Sequence, residues 1–238
     1  FPYLPNSDSK LAATRLGISK TGDWGYYGIS SVIIDQLNGV PFHGEEEEED
    51  GEEHEDERIF AVTDSSVINI EGEYLLNGAI NSIAYSLRET DSSLTEQHEE
   101  EEDHHTSNGD GGDADHDEHG ATTFTNNSEE AQVILDISNA NNEQKLVFNL
   151  ANSDSSVVKE VGTPSMRPAE TSESTIGYYL GTNFNKLNMD LGIRYDQINV
   201  KGSKQTINNG NSITNHDLDF DNLSFSASFN RTISDNFK

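Results

Sequence analysis

The stretch Leu187-Asn188-Met189-Asp190-Leu191-Gly192-Ile193-Arg194-Tyr195 alternates strictly between apolar and polar residues. Side chains alternate across a β-strand. Leu187, Met189, Leu191, Ile193 and Tyr195 therefore share one face, and Asn188, Asp190, Gly192 and Arg194 share the other. A tilted strand of about nine to eleven residues with one greasy face is what crosses a bilayer in a barrel.

The same period recurs along the chain. Leu223, Phe225, Ala227 and Phe229 alternate with Ser224, Ser226, Ser228 and Asn230. Ile176, Tyr178, Leu180 and Phe184 oppose Gly177, Gly181 and Asn183. Val133, Leu135 and Ile137 define a strand over 132–138, and Leu146, Phe148 and Leu150 one over 146–150. Ile68, Ile70, Tyr74 and Leu76 oppose Asn69, Glu71 and Glu73 over 67–76. Noisier strands lie near 13–20, 24–35 and 79–90, and Phe237-Lys238 would start a tenth. A helix is a poor alternative, because the 3.6-residue period fails and Gly, Asn, Ser and β-branched residues are frequent.

The links between strands sort by length. Short ones fall at 21–23, at Asn77-Gly78, at 139–144, at Asn185-Lys186 and at 234–236; Asn77-Gly78 is a two-residue hairpin signal. Long ones are expected at 37–63, 93–127, 158–172 and 201–220. Strict alternation of short and long links is the arrangement of outer-membrane barrels, with short periplasmic turns and long extracellular loops. The fold expected is therefore all-β: an antiparallel transmembrane β-barrel, present as about nine or ten strands of a larger one, with residues 1–238 in a single barrel domain. A soluble β-sandwich would also alternate, but its strands are shorter and its links would not sort by length.

Composition narrows the partners. The chain carries 44 acidic and 14 basic residues, a net charge of -30, and 32% hydrophobic residues. Phosphate recognition needs clustered Lys and Arg, so no nucleic acid partner is expected. A cation is the natural counterpart of such a field. No cysteine is present, which excludes disulfides and thiolate metal sites. No run of about 18 apolar residues offers a transmembrane helix. The opening Phe1-Pro2-Tyr3-Leu4-Pro5 reads like the middle of a loop, which suggests an internal portion of a longer protein.

The chemistry sits in two links. Residues 45–57 hold 11 acids, and residues 96–119 hold another 11. Seven of the eight histidines fall in the same two links: His43 and His54 in 37–63, and His98, His104, His105, His116 and His119 in 93–127. Acid runs alone are usually solvated tails. Acid runs mixed with imidazole read as metal-binding, since neutral imidazole prefers zinc, copper or nickel. Zinc takes such nitrogen and oxygen ligands in four-coordinate sites. The candidate ligands are His43, His54, His98, His104, His105, His116 and His119, with Glu55 and Asp117. A calcium-loop pattern at Asp113, Asp115 and Asp117 fails, because Glu118 and Phe124 stand where Gly and Glu are needed. His43 follows the apolar step Val40-Pro41-Phe42 and is expected to be the most rigidly held; His216 stands apart as a polar loop residue. No nucleophile elbow, phosphate-cradling loop or His-Glu-x-x-His helix occurs, so no enzyme is expected.

Several of these residues carry a family resemblance. Gly22-Asp23-Trp24-Gly25-Tyr26-Tyr27-Gly28-Ile29-Ser30 resembles TonB-dependent outer-membrane receptors of the zinc-uptake group. So do Asn38-Gly39-Val40-Pro41-Phe42-His43-Gly44 with the acid and His run ending at Asp56-Glu57-Arg58, and the second His/acid link before Thr122-Thr123-Phe124. The resemblance covers about residue 11 to the end. It implies a 22-stranded barrel around a plug domain, import of a zinc ion through the TonB complex, which contacts that plug, and a place in the bacterial outer membrane among its lipids. No plug or TonB-box segment is seen in this chain. The alternatives are a receptor for a siderophore or haem, and a secreted calcium-binding β protein.

Overall fold

The computed structural model describes residues 6–41, 59–98, 121–159, 166–184, 187–207 and 211–231. Among them are nine strands: β1 (Ser9–Gly22), β2 (Gly25–Gly39), β3 (Ile59–Leu75), β4 (Ser82–His98), β5 (Thr122–Asp136), β6 (Asn142–Lys159), β7 (Met166–Phe184), β8 (Leu187–Ile207) and β9 (Asn211–Arg231). They form one sheet in chain order, each strand antiparallel to the next. This is a partial transmembrane β-barrel: the wall is continuous and does not close on itself.

Register places the apolar residues on one face. Tyr195 stands opposite Ile176 and Leu223, and Ile193 opposite Tyr178 and Phe225. Farther along, Ile18 meets Ile29, Ile29 meets Ile70, and Ile70 meets Leu87. These side chains remain open, with Phe225 72% and Ile18 75% exposed. The only buried hydrophobic residue among those described is Ile59. A sheet that leaves its large apolar residues uncovered on one side has no interior core of its own, and that side is the one for lipid. On β7 the opposite face is the more sheltered one. In β7, Arg167, Ala169 and Thr171 are half-buried while Pro168, Glu170 and Ser172 are exposed.

Aromatic side chains gather at the short-link edge. Trp24 stacks on Tyr27 at 5.7 Å and lies 5.9 Å from Tyr74. Such rings favour the bilayer interface, where one end is apolar and the other wet. At that edge Gly22 pairs with Gly25 across Asp23 and Trp24. Gly25 has φ +123°, and a Cβ there would collide with the Glu73 carbonyl. Only glycine fits.

Several expectations are corrected. The long links at 158–172 and 201–220 are mostly strand: β6 runs to Lys159, β7 starts at Met166, β8 reaches Ile207 and β9 starts at Asn211. Beyond Tyr195 the apolar residues change sides while backbone pairing continues: Ile198 opposite Phe220 and Val200 opposite Leu218 lie on the face of Asp196, and Gln197, Asn199 and Lys201 with Asp221, Asp219 and Asp217 take the face of Tyr195. Asn199 donates to Asp217 at 2.6 Å and to Asp219 at 2.8 Å, and Tyr195 donates to Asp221 at 2.8 Å. His216 therefore lies within β9, opposite Gly202, and not in a loop. Links 37–63 and 93–127 likewise shrink, because β2, β3, β4 and β5 extend to Gly39, Ile59, His98 and Thr122. Lastly, Asn77-Gly78 does not make a two-residue turn. The link spans 76–81, closed by Leu76 N–H to Asn81 O at 2.7 Å. Asn81 is drawn aside by its side-chain bonds to Asp136 at 3.1 Å and the Ser138 carbonyl at 2.7 Å. The tenth strand at Phe237-Lys238 falls outside the described residues.

Two stability outcomes follow from the faces. Leu191→Arg, at the middle of the apolar span, is expected to cost about 2–4 kcal/mol in a bilayer, and the same change at inward-facing Ser228 far less. Gly25→Ala is expected to cost about 1–3 kcal/mol through backbone strain. Urea titration of the chain refolded into lipid vesicles, read by Trp24 fluorescence, checks both; equal losses at Leu191 and Ser228 would refute the face assignment.

Candidate functional site

All links between β2 and β3, β4 and β5, β6 and β7, and β8 and β9 leave one edge of the wall; the four others leave the opposite edge. The two His/acid segments therefore spring from four consecutive strand ends on the same rim. Neighbouring strands lie about 4.8 Å apart, so the outer two anchors are separated by roughly 14 Å along the ladder.

Hydrogen bonds fix the base of the first segment. Gly39 N–H donates to the Asp8 carbonyl at 2.8 Å, and Val40 N–H to the Ile59 carbonyl at 2.9 Å. A Cβ on Gly39 would stand 2.6 Å from the Asn6 carbonyl oxygen, so the chain packs tightly there. Asn38 Oδ1 accepts from Ser9 Oγ at 2.8 Å and Gln36 Nε2 at 3.1 Å. The second segment is anchored by pairing of Glu96 with Thr122, and by Thr95 and Thr123, whose hydroxyls lie 3.0 Å apart.

His98 is the one candidate ligand whose backbone is placed. It ends β4 opposite Ile59, so it belongs to a strand and not to a loop, and it is one strand away from Val40 at the root of the first segment. His43, His54, Glu55, His104, His105, His116, Asp117 and His119 lie outside the described residues. Among the described residues no three His, Asp or Glu side chains converge on a point where an ion could sit.

The sheltered face carries a polar network that sequence reading did not single out. Asp196 is 5% exposed. Its Oδ1 accepts from Arg194 Nε at 2.5 Å and from Thr175 Oγ1 at 2.8 Å; its Oδ2 accepts from Asn222 Nδ2 at 3.5 Å. Arg194 also reaches Glu173 at 3.1 Å. Lower on the same face Tyr179 donates to Asp190 at 2.8 Å. Beside Thr175 the Asn149 Oδ1 is buried without a hydrogen-bond partner among the described residues. Arg194 and Asp196 stand two apart on one face of β8, which was the available signal. What it could not show was Thr175, Glu173 and Asn222 arriving from β7 and β9. A charged group this sheltered is stable only when bonded on several sides.

No family model matches this sequence. No curated protein matches it either. Among solved structures, the chain is similar to the FrpB iron transporter from Neisseria meningitidis (F3-3 variant), with a TM-score of 0.67 at 11% identity over 98% of this chain. The chain spans 37% of that transporter's length. At this identity the likeness establishes the shared β-wall architecture.

Asp196→Ala would remove the acceptor of Arg194 Nε and Asn222 Nδ2 and leave the Thr175 hydroxyl only its longer bond to Glu173 at 3.2 Å, at an expected cost of about 1–3 kcal/mol. Asp219→Ala, on the exposed strand extension, should fall within about 0.5 kcal/mol. Chemical denaturation of the two variants in detergent is the check, and a harmless Asp196→Ala would discount the network.

Proposed function

We propose that this chain is part of an outer-membrane receptor of the TonB-dependent kind that captures a metal ion, zinc above all, and passes it inward. One observation carries the reading: two segments holding seven histidines and 22 acids are rooted on adjacent strand ends of a single rim. Short strand-to-strand spacing at the roots lets ligands from both segments meet one ion. Their acids enrich dications near the rim, and imidazole and carboxylate supply exchangeable nitrogen and oxygen ligands. Several overlapping weak sites favour capture followed by release, which transport requires.

The architecture supports a transporter, since a solved transporter shares it. The resemblance noted in the sequence supports the outer membrane as location, its lipid as surroundings and the TonB complex, acting through a plug domain, as energy source. A second reading has its own support: that solved neighbour is named an iron transporter. In that reading the rim receives a siderophore or haem, and the acids are solvating surface.

Calorimetric titration of the detergent-purified chain separates the two. Zinc is expected to bind in the micromolar range at more than one site. Replacing the seven rim histidines by Asn should remove most of that binding, whereas His216→Asn should not. Tight binding of a ferric chelate or haem, with zinc binding indifferent to the seven substitutions, would overturn the zinc reading in favour of the second.

A further inference from the structure

Four Asn-Gly steps occur in the chain, at 38–39, 77–78, 108–109 and 209–210; the last two lie outside the described residues. The fold treats the first two in opposite ways. An Asn followed by Gly is open to attack by its own backbone. The nitrogen of the following residue can reach the side-chain amide carbon, because glycine has no Cβ to bar the approach. Ring closure then requires that the two residues be free to turn toward each other.

Asn38 and Gly39 are not free to do so. Both belong to β2, with Asn38 paired to Ser9 and Ala61 and Gly39 to Phe60. The Asn38 Oδ1 accepts from Ser9 Oγ at 2.8 Å and from Gln36 Nε2 at 3.1 Å, which holds the amide along the strand. The attacking group is engaged as well, since Gly39 N–H donates to the Asp8 carbonyl at 2.8 Å. Asn6 and Asp8 crowd Gly39, so the pair has no room to rotate.

Asn77 and Gly78 stand in the link between β3 and β4, and both are exposed. The link is closed around them by Leu76 N–H to Asn81 O at 2.7 Å, and Asn81 N–H goes on to Asp136 O at 2.7 Å. No hydrogen bond holds Asn77 or Gly78 among the described residues. Nothing lies within 4 Å of where a Cβ on Gly78 would stand. The bonds of Asn81 fix the hairpin and leave this pair without a part in it.

We propose that Asn77 is a site of spontaneous deamidation, and that Asn38 is protected from the same reaction by its place in the sheet. The Gly78 nitrogen, giving its proton to hydroxide, forms a bond to Asn77 Cγ. The bond from Cγ to the amide nitrogen breaks and ammonia leaves, which closes a succinimide ring. Water opens that ring at either carbonyl and leaves aspartate or isoaspartate at position 77. No oxidant or reductant takes part. Each event puts a carboxylate in place of a neutral amide on the short-link edge of the wall, and isoaspartate adds a backbone methylene. The link absorbs both changes, because its closing bonds lie at Leu76 and Asn81. At 38–39 three hydrogen bonds must break before the ring can close, which should slow the step about a hundredfold relative to 77–78.

Peptide-mapping mass spectrometry of the full chain tests this. The chain, folded in detergent, is held in mildly alkaline buffer made with heavy-oxygen water and then digested. Isoaspartyl methyltransferase labelling marks the rearranged product. Conversion with heavy-oxygen uptake is expected at Asn77, faster as pH rises, while Asn38 stays intact. Gly78→Ala should remove most of the conversion at 77, with circular dichroism reporting an unchanged β-sheet. In urea the two sites should convert at similar rates, because the bonds that protect Asn38 are gone. Equal conversion of both sites in the folded chain, no conversion of Asn77 there, indifference to Gly78→Ala, or an Asn38 that stays intact in urea each overturns the proposal.

Discussion

The structure depends on the antiparallel ladder that satisfies backbone hydrogen bonds strand by strand. In hydrocarbon there is no water to take an unpaired N–H or C=O, so a spanning wall must carry its own partners. Pairing holds from β1 through β9, and it continues past Tyr195, where polar residues take over the face that is apolar before it. The period of two that pairing imposes then does the rest. It divides each strand between lipid and the sheltered side, and it brings residues distant in sequence into rows.

Those rows explain why polar chemistry lies where it does. On the sheltered side, Asp196 is held by groups from β7, β8 and β9, a set possible only because Thr175 and Asn222 fall beside it in the register. The rim follows from the same geometry. Antiparallel pairing in chain order puts every second link on one edge, so the links from β2 to β3 and from β4 to β5 leave the same rim.

The fold was legible because membrane strands must alternate, and Leu187–Tyr195 and Leu223–Phe229 do so without a break, with Ile176–Phe184 departing only at Tyr179 and Thr182. Strand ends were not. Beyond the bilayer a strand has no reason to show an oily face. Lys201, Gly202 and Ser203 opposite Asp217, His216 and Asn215 therefore read as loop while pairing as strand. The Asn77-Gly78 signal failed for a different reason: the side chain of Asn81 bonds across to Asp136 and Ser138, and those bonds outweigh the local turn preference. Among the candidate ligands, the histidines were visible from composition alone. That His98 ends β4 beside the root of the first segment required the register.

Sequence by itself determined the faces, the sheet class and the two segments where imidazole and carboxylate concentrate, because these are local properties of spacing and composition. Tertiary structure alone decided which strands extend past the bilayer, which distant side chains surround Asp196, and which Asn-Gly step is tied down. Each of those depends on the relative slide of neighbouring strands. A shift of one residue would turn every side chain to the other face, and no single strand contains that information.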